Sequence, residues 1–116
     1  MMSEGADMDL YEALAAKIAE YDSGSVGEEV PGFDAWDDAA RDYLEAVRKS
    51  IADGESALSV YERMKADLPR LEERVEAEEA SYTFDWYDDH YYLKIYSGQV
   101  QACKFVLSLC ETLVSA

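Results

Sequence analysis

Apolar residues recur every three or four positions along most of this chain, the period of a helix buried on one face. Leu10, Leu14, Ile18 and Tyr21 predict a first helix over 7–21, with Asp7 or Asp9 as its cap. Asp22-Ser-Gly-Ser-Val-Gly27 ends it, and Gly and Pro punctuate a loop as far as Pro31-Gly32. A second helix is predicted from Asp34, its cap, to Ala52, with Trp36, Ala40, Tyr43, Leu44, Val47 and Ile51 as the buried stripe. Asp53-Gly54 makes the next break. From about Ser56, Val60, Tyr61, Met64, Leu68, Leu71 and Val75 keep helical phase straight through Pro69. A proline there removes a backbone donor and crowds the preceding turn, so a kink or a restart is expected.

Residues 82–96 allow two readings. Tyr82, Phe84 and Trp86 alternate, as do Tyr91, Leu93 and Ile95, and Asp88-Asp89-His90 between them would make a β-hairpin. The favoured alternative is a helix that begins near Asp85 and continues into the C-terminal one, because a lone two-stranded hairpin is marginal. From Ser97 the pattern is plain. Val100, Cys103, Leu107, Cys110 and Val114 form an apolar stripe that Phe105, Val106, Leu109 and Leu113 widen. Gln101, Lys104, Ser108, Glu111 and Ser115 leave only a narrow polar one. A helix this apolar is nearly surrounded, as the hub of a bundle or as a homodimer seam. The expectation is a single all-α domain over 1–116, of about four helices with 97–116 as the hub. The alternative is α+β with one hairpin at 82–96.

Charge changes this picture most. Ten Lys and Arg face 26 Asp and Glu, a formal net charge of −16. Hydrophobic residues still make up 49%, with nine Tyr among them, so the acidity belongs to a chain with material for a core and not to a disordered tail. In the second helix the acids partly compensate themselves through Asp37–Arg41, Arg41–Glu45 and Glu45–Lys49, each four apart and each contributing about 0.2–0.5 kcal/mol. The stretch from Glu72 to Asp89 is different: eight acids stand against the single base Arg74. Glu72, Glu76 and Glu79 fall on one helical face, and Tyr82, Trp86, Tyr87, Tyr91 and Tyr92 lie close by in the chain. A second acid-rich stretch runs through Glu28, Glu29, Asp34, Asp37 and Asp38.

Candidate chemistry is sparse. His90 is the only histidine, so no Ser-His-Asp, Cys-His or HExxH arrangement can be assembled, nor the paired Glu-x-x-His of a di-iron bundle. Asp34, Asp37, Asp38 and Asp42 lack EF-hand spacing, and Gly98 has no phosphate-loop context. No cofactor or metal is expected. Cys103 and Cys110, seven apart in one helix, stand about 10 Å from each other and cannot bridge. Two buried thiols fit a reducing cytoplasm. The N-terminus shows no secretory pattern, and no apolar run approaches a membrane span.

What remains is binding. Direct contact with nucleic acid is disfavoured, since both partners are negative. A row of carboxylates, however, matches in sign and roughly in spacing the phosphates of a strand, and so attracts proteins that bind DNA or RNA through Lys and Arg. On this logic Glu72, Glu73, Glu76, Glu79, Asp85, Asp88 and Asp89 supply charge, with Trp86 and Tyr87 as aromatic anchors. Leu10-Tyr-Glu-Ala-Leu-Ala-Ala-Lys-Ile-Ala-Glu-Tyr-Asp22 resembles the first helix of a phage anti-restriction DNA mimic. Tyr96-Ser-Gly-Gln-Val-Gln-Ala-Cys-Lys-Phe-Val-Leu-Ser-Leu109 is similar to C-terminal helices of small phage proteins. In type the chain resembles small phage-encoded acidic inhibitors of host defence, the anti-restriction and anti-CRISPR proteins, although it lacks an acidic C-terminal tail. The resemblance implies a non-enzymatic inhibitor in the host cytoplasm whose partner is a basic nucleic-acid-binding protein. Two other readings stand beside it: acidity that serves solubility in a salt-loving organism, and a small scaffold, antitoxin or regulatory subunit.

Overall fold

A computed structural model gives four helices in chain order: α1 (Glu4–Asp22), α2 (Asp34–Ala52), α3 (Ala57–Ser81) and α4 (Tyr91–Ser115). The structure describes residues 4–23, 34–81 and 91–115. Among these there is no strand, so the all-α bundle is the fold. The second strand of the hairpin reading, Tyr91 to Ile95, is instead the opening of α4. The first strand, and a helix start near Asp85, lie outside the described residues.

Helix α4 is the hub. It packs along both α2 and α3, which scarcely touch one another, while α1 lies chiefly on α2 and meets α3 and α4 at its edges. The stripes read from the sequence supply the core: Leu10, Leu14 and Ile18 from α1, Ala40, Leu44 and Val47 from α2, Val60, Met64 and Leu71 from α3, and Val100, Cys103, Val106 and Cys110 from α4. Tyr43, Ile51, Tyr61, Leu68, Val75, Phe105, Leu107, Leu109 and Leu113 close around it, half-buried. The side chains of Trp36 and Val114, also expected there, lie outside the described ones. Each fully buried Leu or Val contributes about 1.5–3 kcal/mol over an exposed one, and this outweighs the repulsion among surface acids.

Sulfur fills the centre. Met64 and Cys103 are wholly buried, their sulfurs 3.8 Å apart, and Tyr43 donates its hydroxyl proton to Met64 Sδ at 3.4 Å. Burial raises the Tyr43 and Cys103 thiol pKa values and pushes Cys110 up to about 11, so both thiols are held protonated. The two cysteines are free and buried.

The α2–α3 joint is built from local chemistry. Gly54 takes φ +116°, a left-handed conformation costly for any residue with a Cβ. It lets Glu55 N–H reach the Ser50 carbonyl at 2.9 Å and Gly54 N–H the Ile51 carbonyl at 3.0 Å, the paired bonds of a Schellman motif. Ser56 then caps α3, its Oγ accepting from Ser59 N–H at 3.1 Å. Asp7 does not cap α1, which starts earlier. From inside α1 its carboxylate accepts the Ala57 N–H at 2.7 Å and so caps α3 across the bundle. Helix α3 does not restart at Pro69; it runs unbroken from Ala57 to Ser81 with the proline inside it.

Candidate protein-binding surface

Helix α3 carries its core face through Met64, Leu68, Leu71 and Val75, and the 100° step of a helix places Glu72, Glu76 and Glu79 along one flank of that face. The three carboxylates are exposed. They form one wall of a surface groove of about 320 Å³ between α3 and α4, with Val75, Ser97, Val100, Gln101 and Lys104 completing it. Val100 is buried and Val75 half-buried, so the groove has an apolar floor beneath an acidic wall. The Glu72-to-Glu79 edge is about 10 Å long.

Glu73 is exposed but does not line this groove; one residue along the helix turns it about 100° away from Glu72. Asp85, Trp86, Tyr87, Asp88 and Asp89, the other residues expected to bind, lie outside the described residues, as does His90. The structure therefore brings together three of the predicted acids and sets the fourth apart. On the opposite flank of α3, Arg74 lies over the Tyr96 ring at 5.3 Å, and Tyr96 stacks with Tyr92 at 6.4 Å. The single base of the acidic stretch thus joins α3 to α4 through an aromatic face, away from the glutamate edge.

The sequence reading missed Lys104. Its place on the polar stripe of the C-terminal helix marked it only as solvent-facing. In the fold its Nζ lies 4.0 Å from Glu72 Oε2, both side chains about half exposed. The signal was present in retrospect: Lys104 is the only base in 97–116, at a position that faces the neighbouring helix.

Elsewhere most of the bases are engaged within the bundle. Arg41 grips Asp22 of α1 at 3.0 Å and lies 3.7 Å from Asp42, while Arg48 pairs with Glu45 and donates to Tyr11 Oη at 2.9 Å. Arg41 and Glu45, four apart as expected, still attract one another through charge, but the closest contacts of the two arginines are Asp22 of α1 and the three-apart Glu45. Hydrogen bonding from Arg41 lowers the Asp22 pKa, and that from Arg48 lowers the Glu45 pKa. Lys17 lies over the Tyr21 and Phe105 rings, which ties α1 to α4.

Glu55 is held by Arg63 at 2.7 Å and by the Ser59 hydroxyl at 2.8 Å. Burial alone would raise its pKa, but hydrogen bonds from Arg63, Ser50 and Ser59, with the Arg63 charge, bring it down to about 2. Among the described residues no three His, Cys, Asp or Glu side chains gather as metal ligands. No helix among them is long and apolar enough to cross a membrane. No family model matches the chain, and no curated protein or solved structure matches it either.

Proposed function

We propose that this chain is a non-enzymatic acidic binding protein that inhibits a nucleic-acid-processing protein, such as a restriction or CRISPR effector of a phage host, by occupying its basic nucleic-acid-binding surface. The observation that carries this reading is the edge formed by Glu72, Glu76 and Glu79. Three exposed carboxylates stand on a rigid helix along one groove, with one loosely held lysine opposite. Like charges at this helical spacing repel and cost stability, so the arrangement is disfavoured for the free protein and favoured once cations meet it. Arginine forks engage carboxylates bidentately, and each contact that replaces a phosphate contact competes directly with DNA or RNA. Glu73 adds long-range field, and further along the chain Asp85, Asp88 and Asp89 add charge, with Trp86 and Tyr87 as aromatic anchors.

The test is retention of host proteins on the immobilised chain. In low salt it should capture nucleic-acid-binding proteins that are released by high salt and by added duplex DNA or RNA. The E72K/E76K/E79K variant should keep its helical circular dichroism and capture none of them. Unchanged capture by that variant, or captured proteins that nucleic acid fails to displace, would overturn the reading.

A further inference from the structure

We propose that Lys104 is an internal counterion seated where a partner's cation binds, and that it sets the affinity of the acidic edge. This rests on the edge being the binding surface. Two features separate this pair from the tight Arg63–Glu55 contact. The Lys104 ammonium reaches Glu72 at 4.0 Å, whereas the guanidinium of Arg63 sits 2.7 Å from a carboxylate that the Ser59 hydroxyl also holds, and itself donates to Ser50 Oγ. Lys104 and Glu72 are also open to solvent on both sides, while Glu55 is mostly covered. The lysine is a compact point charge on a flexible stem, able to swing away at little cost. It projects from α4 into the same groove as Glu76 and Glu79, so one cation screens the wall that an incoming arginine must reach.

In the free protein Lys104 relieves the repulsion along Glu72, Glu76 and Glu79. On binding, an arginine displaces it, forms the bidentate contact that an ammonium cannot, and leaves Lys104 to be rehydrated. Lys104 therefore weakens association by the strength of one exposed ion pair, which corresponds to about two- to fivefold in Kd.

The probe is a fluorescein-labelled nona-arginine peptide titrated by anisotropy at 50 mM salt, with wild type, K104Q, K104R and K49Q compared. Lys49 is exposed on α2 and does not line the groove, so K49Q removes the same net charge outside it. K104Q should bind two- to fivefold tighter than K49Q, with the difference gone at 500 mM salt, and K104R, whose own fork holds Glu72 more firmly, should bind no tighter than wild type. Equal affinity of K104Q and K49Q overturns the inference, because the gain is then net charge alone. Absence of peptide binding by every variant overturns it as well. Peptide binding that E72K/E76K/E79K abolishes, in a protein that captures no nucleic-acid-displaceable host protein, leaves this inference standing and removes the proposed function instead.

Discussion

Glu55 shows how one residue can organise a joint between helices. It follows the left-handed Gly54, precedes the cap Ser56, and gathers Arg63 and Ser59 onto one carboxylate. Its ionised form is the one these partners stabilise, so its pKa in the folded protein is about 2 against an ordinary 4.5. A carboxyl lowered on folding contributes stability above its unfolded pKa and loses it as pH falls toward the folded one. Glu55→Gln is therefore expected to cost about 1 kcal/mol at pH 7, a modest figure because the Arg63 side of the pair is open to water. Urea unfolding of both proteins should show that gap narrowing steadily between pH 4.5 and about 2. A gap that stays constant over that range would mean that packing, not charge, is what Glu55 provides.

Among the elements, α3 departs furthest from its own sequence preferences. Pro69 stands well inside a helix of 25 residues, on an exposed position, and deprives the preceding turn of one hydrogen bond. Leu68, Leu71 and Val75 pack on the hub on both sides of it, and this burial holds the helix continuous where local propensity breaks it. Replacing Pro69 by Ala is expected to raise stability by about 1–3 kcal/mol, read as a higher denaturant midpoint. A lower midpoint would show that the proline shapes α3 to fit α4. The same contrast explains what the sequence made legible. Helix α2 was readable at both ends because Asp34 opens its stripe and Gly54 closes it, both local signals. The cap of α3 was half readable: Ser56 is local, but Asp7 reaches it from 50 residues away, which no windowed pattern contains. The glutamate edge was legible as a helical face, since period alone aligns Glu72, Glu76 and Glu79. The groove they wall was not, because Ser97, Gln101 and Lys104 enter it only through the packing of α4 on α3.

At the scale of the molecule, −16 is a field and not a sum of sites. Seven of the ten bases, Lys17, Arg41, Arg48, Arg63, Lys65, Arg70 and Lys104, pair with acids among the described residues, and with all ten counted the excess of 16 negative charges is still uncompensated. The described body measures 50 × 30 × 23 Å. At about 0.01 M salt the screening length, ~30 Å, spans most of it and nearly every acid feels every other; at 0.1 M it is ~10 Å and only neighbours repel. Folding compresses this charge, so repulsion opposes the native state and salt should relieve it. The melting temperature is expected to rise between 10 and 100 mM sodium chloride and then to flatten, once the screening length is shorter than the gaps between helices. Relief of about 1 kcal/mol corresponds to roughly 4 °C in a domain of this size. A melting temperature that falls with salt would show that the ion pairs outweigh the repulsion. A rise that continues into molar salt would instead favour acidity as an adaptation to salt, because screening is exhausted by then and only ion hydration at the carboxylate surface remains to act. The plateau is the outcome expected of a surface whose charge is kept for a partner.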